Sequence, residues 1–218
     1  MRNVKDIDVH PVFKAAKLAG TFDFHYDVAV LTLSSAVKGI KPIELASSDQ
    51  NTLERPGRHA TIAGWGTTAA RTACEKPRGA ADRMQEAQLS IVSDSRADKI
   101  LQQAQPPACD PQSPSTDFVP RLMIAAGGKD ASSCQGDSGG PLFVRASGND
   151  DNNGTNGDDE SGGKYTQIGI TSWGVGCGVV GRPSVFSEVN AKPIASFIER
   201  TADNGDDDNG DGDNGDDK

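Results

Sequence analysis

Residues 134–141 read CysGlnGlyAspSerGlyGlyPro, and this run decides how the rest of the chain is read. A serine hydroxyl is a weak nucleophile at neutral pH, so Ser138 carries chemistry only beside a base and an acid that orients that base. The glycines at 136, 139 and 140 permit a tight main-chain path that lets a substrate carbonyl approach closely. Main-chain N–H groups of Gly136 and Ser138 are then placed to form an oxyanion hole. Ser-Gly-Gly alone would read as a turn before the strand ProLeuPheVal at 141–144. The full octet is much rarer, and it favours the nucleophile reading.

Outward from the octet the chain is strand and turn. Short apolar runs recur as ValAlaValLeuThrLeu at 28–33, AlaThrIleAlaGlyTrp at 60–65, AlaGlnLeuSerIleVal at 87–92 and GlnIleGlyIleThrSerTrp at 167–173, with Gly, Pro or Asp clusters between them. Short, spaced strands of this kind predict antiparallel barrels. Residues 95–104 predict a short helix with Ser95 as N-cap, and 193–200 a C-terminal helix. No apolar run of bilayer length is present, so no membrane span is expected.

Four stretches, with the octet, resemble the chymotrypsin/trypsin-like serine peptidase family. AlaGlyTrpGly at 63–66 resembles the family's Gly-Trp-Gly strand end, ThrSerTrpGly at 171–174 its cleft-lining strand, and ArgProSerValPheSerGluVal at 182–189 its pocket-closing segment. TyrAspValAlaValLeuThrLeu at 26–33 resembles the segment with the catalytic aspartate, here Asp27, which stands 111 residues before Ser138 in the family's order. Asp27 read in isolation would be a turn-capping aspartate at a strand start.

The resemblance implies an all-β, chymotrypsin-like double β-barrel with a C-terminal helix. Residues 1–50 would form a partial first barrel carrying Asp27, and 55–200 a complete second barrel carrying the serine motif. A partial barrel is expected to leave open strand edges and a bared apolar face drawn from Val28, Val30, Leu31 and Leu33. It further implies a disulfide between Cys134 and Cys177, with Cys74 and Cys109 paired or free. Ser132 falls at the base of the primary pocket, where trypsin-like members carry aspartate, and Asp130 lies two residues further upstream. Gly174 leaves one pocket wall open, and the Ser184 hydroxymethyl narrows the entrance. The implied preference is for mid-sized apolar side chains, with the substrate strand pairing to main-chain groups of Ser172 and Gly174.

Two family features are not found in the sequence. The base in the family is a histidine within Ala-Ala-His-Cys, well before the aspartate, and only 26 residues precede Asp27. The activating Ile-Val-Gly-Gly, whose freed ammonium pairs with the aspartate before the serine, here Asp137, is also not seen. Of the three histidines, His10 resembles a surface strand position, His25 sits two residues before Asp27, and His59 belongs to the second half; none is expected to serve as the base. Loss of that histidine costs on the order of a million-fold in an analogous serine peptidase. The chain as written is therefore expected to be nearly inert, with an uncompensated Asp137 and a loose 134–140 loop.

Function then falls into two classes. One is a serine endopeptidase whose upstream portion supplies the histidine and activation site. The other is a non-catalytic homologue that binds proteins in the cleft as an inhibitor or decoy, as glucanase inhibitor proteins do. Either takes a polypeptide substrate or protein ligand, with no cofactor, nucleic acid or membrane.

Composition fits additions on a lean domain. The chain carries a net charge of −9 with 35% hydrophobic and 5% aromatic residues. Residues 149–163 hold five acids and no base, and 203–218 hold eight aspartates and one lysine, so the remaining 187 residues carry a net +3. Such Asp, Asn and Gly runs bury too little apolar area to offset chain entropy, and both are expected to be disordered. Asp207, Asn209, Asp211 and Gly212 match the start of an EF-hand loop, but the twelfth position is Lys218 and no flanking helices are expected, so no metal is assigned. Disulfide-like cysteines and an acceptor AsnGlyThr at 153–155 point to secretion, although residues 1–20 show no signal peptide.

Overall fold

The computed structural model describes residues 2–18, 24–69, 79–104, 117–129, 131–145 and 165–206. Cys74, Cys109, Asp130, the 149–163 insertion and the tail beyond Asp206 lie outside them.

The chain opens with β1 (Val4–Val9), α1 (Pro11–Leu18) and β2 (Ala29–Leu33). The two strands pair antiparallel, Val4 opposite Leu33, Ile7 opposite Leu31 and Val9 opposite Ala29. Helix α1 departs from the all-strand reading of this region. It starts at Pro11, whose missing N–H costs nothing at a helix start, while the Val12 amide donates to His10 Nδ1 (3.3 Å) and the Lys14 amide to the His10 carbonyl. Its capping group is thus a histidine ring, which pattern reading does not look for.

A connection follows with β3 (Glu44–Leu45) and a 3-10 turn at Asn51–Glu54. The larger body contains β4 (His59–Gly64), β5 (Gln85–Val92), α2 (Asp94–Gln103), β6 (Met123–Ala126), β7 (Pro141–Arg145), β8 (Tyr165–Gly174), β9 (Ser184–Glu188) and α3 (Lys192–Asp206). Its strands run in the order β8-β7-β4-β5-β6-β9, and β9 pairs back onto β8, closing a six-stranded barrel. Strand β3 adds in parallel to β8 at Thr166 and Gln167. The architecture is the chymotrypsin-like double barrel, its second barrel closed and its first represented by the β1–β2 ladder.

Period-two alternation builds the barrel interior, because successive strand residues face opposite sides. Ala60 and Ile62 of β4, Leu89 and Ile91 of β5, Leu142 and Val144 of β7, Ile168 of β8 and Phe186 of β9 converge there. Each fully buried large side chain contributes roughly 1.5–3 kcal/mol. A second cluster joins Leu101 of α2, Leu122, Val185, Ile194 and Phe197 of α3, and Val28. That contact corrects the expected bared face: Val28 is buried beneath α3, while Leu31, Leu33, Val4 and Ile7 remain exposed.

Both barrel-side helices differ from expectation at one end. Helix α2 begins at Asp94 with Ser93, not Ser95, as N-cap, because the Ser93 carbonyl accepts from the Arg96 and Ala97 amides. Helix α3 runs on to Asp206, so residues 203–206 are helical where disorder is expected, and a helix precedes the acidic run where none is expected; the rest of the tail lies outside the described residues. Once Ile194 and Phe197 anchor it, each added residue gains a bond at little further ordering cost. Among the described residues no helix is long and apolar enough to cross a membrane.

Candidate active site

Ser138 lies exposed in the loop between β6 and β7, and that loop is pinned from two sides. On one side the Gly139 amide donates to the Thr171 carbonyl and the Thr171 amide to the Gly140 carbonyl, both at 2.9 Å, fixing the serine beside β8. On the other, the Thr67 amide donates to the Gln135 carbonyl at 3.0 Å. Gly136 at φ +100° and Gly139 at φ +79° occupy backbone conformations that side chains disfavour, which accounts for two of the motif's glycines. Among the described residues the Gly136 and Ser138 amides meet no protein acceptor.

Asp137 corrects the expectation of an uncompensated carboxylate. Its Oδ1 accepts from the Gly66 amide at 2.8 Å and its Oδ2 from the Cys134 amide at 2.9 Å. Charge-assisted bonds of this type are stronger than neutral ones. A Cβ at Gly64 or Gly66 would collide with this carboxylate, so the Gly-Trp-Gly run is there to admit it. Next to it opens a cleft of about 350 Å³, lined among others by Gly66, Glu86, Ser132, Asp137 and Gly178.

Asp27 reaches the barrel from the other half of the chain. Its Oδ2 accepts from Ser172 Oγ at 2.7 Å and its carbonyl from Ser187 Oγ at 2.8 Å. Ser172 can turn outward because the β8–β9 register skips it: Thr171 faces Phe186 and Trp173 faces Val185. A bulge re-aims a side chain in this way. Asp27 on Ser172 and the serine loop on Thr171 are thus held at adjacent residues of one strand.

The residues expected to wall the pocket come together around the Cys134–Cys177 disulfide, whose Cα atoms lie 5.2 Å apart. Ser132 Oγ accepts from the Gly178 amide at 2.6 Å, and Ser184 Oγ accepts from the Ser133 amide at 2.9 Å. The Ser184 hydroxyl is therefore turned into the wall, with the residue only 3% exposed. Gly174 ends β8 opposite Ser184.

A profile of the trypsin family matches residues 2–198. The chain belongs to the trypsin family. It is similar to a trypsin of Saccharopolyspora erythraea, 32% identical over 190 residues that cover 86% of this chain and 63% of that protein. Human serine protease 41 is 31% identical over 169 residues (75% of this chain, 44% of that protein), and human testisin 30% over 169 residues (76% and 45%). The chain spans less than two thirds of the length of the relatives it matches.

Within this trypsin-family domain the three histidines have partners outside residues 134–140. His59 on β4 faces Ser90, with Nδ1 3.5 Å from its Oγ. His25 Nε2 lies 3.4 Å from Asp117 Oδ2. His10 is not the surface residue the sequence suggests: it is 7% exposed, stacks on Tyr26 and meets Phe197 edge-on.

Sequence reasoning missed His10, Tyr26 and Ser187 around Asp27. The one local signal was an aromatic residue directly before the aspartate. It also missed a carboxyl pair away from the cleft, where burial pushes Glu54 up to about 9, helped by the Glu188 charge, and Glu188 up to about 7, helped by Asp94. Among the described residues no group of three or more His, Cys, Asp or Glu is arranged to hold a metal ion.

Proposed function

We propose that this domain is the serine-bearing part of a secreted serine endopeptidase. Ser138 is the nucleophile, Asp27 the acid that orients the base, and the Gly136 and Ser138 amides the oxyanion donors. The observation that carries this reading is the shared seat of Asp27 and the serine loop at Ser172 and Thr171 of β8. A histidine brought between them would meet both its orienting acid and its nucleophile.

The polypeptide substrate lies extended along Ser172–Gly174. Its leading side chain enters between the walls joined by Cys134–Cys177, where the Ser132 and Ser184 hydroxyls are already engaged by main-chain amides. Neither hydroxyl carries a charge that would favour Lys or Arg, so mid-sized apolar side chains are preferred. Residues 1–218 alone turn over very slowly, because the described histidines all have partners away from the serine loop.

Fluorophosphonate labelling tests the reading. Residues 1–218 should label at Ser138 only negligibly, and a form carrying an upstream Ala-Ala-His-Cys segment should label and cleave after apolar residues. Dominant cleavage after Lys or Arg would overturn the specificity. A well-ordered cleft that captures a protein but never labels, even with the upstream segment present, would replace the peptidase with the binding homologue. The Asp137 carboxylate, met by the Gly66 and Cys134 amides, orders the cleft through the chain's own backbone, and this favours that second reading.

A further inference from the structure

Tyr26, directly before Asp27, has φ +58° and is the only non-glycine with positive φ among the described residues. A residue with a side chain pays on the order of 1–3 kcal/mol for such a conformation, and it persists only where its surroundings impose it. The imposing contacts are visible. The Val28 amide donates to the Tyr26 carbonyl at 2.8 Å, closing a tight turn centred on Asp27, and the His10 amide donates to the Val28 carbonyl at 3.0 Å. The Tyr26 ring stacks on the His10 ring with centroids 4.7 Å apart and planes 10° apart. His10 in turn meets the edge of Phe197 on α3 at 4.9 Å and 62°.

His10 is thus the middle ring of three, between the segment before β2 and the helix that closes the barrel body. Its Nδ1 accepts the Val12 amide that opens α1, so the ring is neutral with its proton on Nε2, an assignment made from the hydrogen bond. Arg200 of α3 is the charge that bears on the ring, Lys14 follows along α1, and Tyr26 is the titratable group stacked on it.

We propose that His10 is a positioning residue for Asp27: its stack on Tyr26, backed by the edge contact with Phe197, locks the left-handed turn at Tyr26 and thereby seats the Asp27 carboxylate on Ser172. This rests on the reading of Asp27 as the orienting acid of a serine peptidase, but the clamp itself is measurable without turnover. Burial first, and then Arg200, lowers the His10 pKa, so the ring stays neutral at neutral pH. In acid, a proton on Nδ1 removes the acceptor for Val12 and puts a cation into the stack beside Arg200.

The test is the hydrogen-exchange protection factor of the Val28 amide as a function of pH, with the barrel amides of Leu89 and Ile91 as the internal reference for global folding. The intact chain should lose Val28 protection below the ordinary histidine range while Leu89 and Ile91 stay protected. His10→Ala should lower Val28 protection about tenfold at neutral pH, the weight of one aromatic pair. His10→Phe keeps the stacked ring without a titrating group, and should restore that protection and hold it flat into acid. Unchanged Val28 protection in His10→Ala, or the same acid loss in His10→Phe, overturns the proposal. Should His10→Ala fail to fold, by loss of Leu89 and Ile91 protection, the pH profile of His10→Phe decides alone. In a form that cleaves peptides, His10→Ala should lower kcat with KM little changed; a domain without peptidase activity would sink the peptidase reading while leaving the exchange result to judge the clamp.

Discussion

Replacing Glu54 and Glu188 together by glutamine should flatten the dependence of stability on pH. Glu54 ends the 3-10 turn of the connection and Glu188 ends β9, so the pair joins that connection to the barrel wall. Asn190 lies against Glu54 with its amide buried and without a closed hydrogen bond, as is Glu54 Oε1. An unfolded glutamate titrates at 4.5, whereas burial lifts Glu188 to about 7 and Glu54 to about 9. Over the interval between those values the folded chain holds protons that the unfolded chain releases. The stabilising effect is therefore complete below 4.5 and is lost as pH rises through about 7 and on towards 9. Taking Glu188 alone, the loss from about pH 5 to about pH 8 is at most about 2.5 kcal/mol at 1.4 kcal/mol per pK unit. Partial exposure to solvent screens the Glu188 share to about 1–2 kcal/mol. Glu54, still protonated in the folded chain at about pH 8, adds to the loss in the same direction, so that share is the least the double variant should remove. Urea midpoints of the intact chain and of the Glu54→Gln, Glu188→Gln double variant, measured at both pH values, give the comparison. Parallel profiles, or an intact chain that gains stability relative to the variant on going alkaline, would refute the reasoning.

Three further outcomes follow from the serine loop and its supports. Asp137→Ala removes the acceptor of the Gly66 and Cys134 amides and should cost about 2 kcal/mol, with faster exchange across 134–140; denaturant unfolding and exchange check the two parts. Gly66→Ala drives its methyl into the same carboxylate, so its cost should be much smaller in an Asp137→Ala background, a coupling that a double-mutant cycle reads. Replacing Cys134 and Cys177 together by serine opens a loop of 43 residues and should lower stability by up to about 4 kcal/mol, with the Ser132–Gly178 contact no longer held in register; thermal unfolding with and without reductant measures it.

The parts of the site set by neighbouring residues were legible in the sequence. The octet at 134–141 contains its own turn, and strands β4, β5 and β7 each carry an alternation that already separates inside from outside. What escaped reading depends on residues distant along the chain. Gly66 and Asp137 stand 71 positions apart, so no local pattern could show that the carboxylate finds a main-chain amide instead of an ammonium group. Ser172 points at Asp27, 145 positions away, because β8 gains a residue against β9, and a register shift of that kind leaves no mark in hydrophobicity. His10 looked like a strand-end surface residue since its burial is supplied by Phe197, near the other end of the chain. Helix α1 is only eight residues long, too short for its periodicity to outweigh the strands around it.

Strands β7 and β8 meet with Arg145 directly opposite Tyr165, and the Tyr165 ring stands edge-on to Phe143 at 5.5 Å. Nineteen residues of sequence separate the two sides of that gate. The entropy of closing such a loop grows only with the logarithm of its length, about 0.6 kcal/mol for each doubling. The barrel is therefore nearly indifferent to how much chain is threaded through the gate, which makes it a natural splice port where an affinity handle or a reporter domain can be installed without disturbing the serine loop.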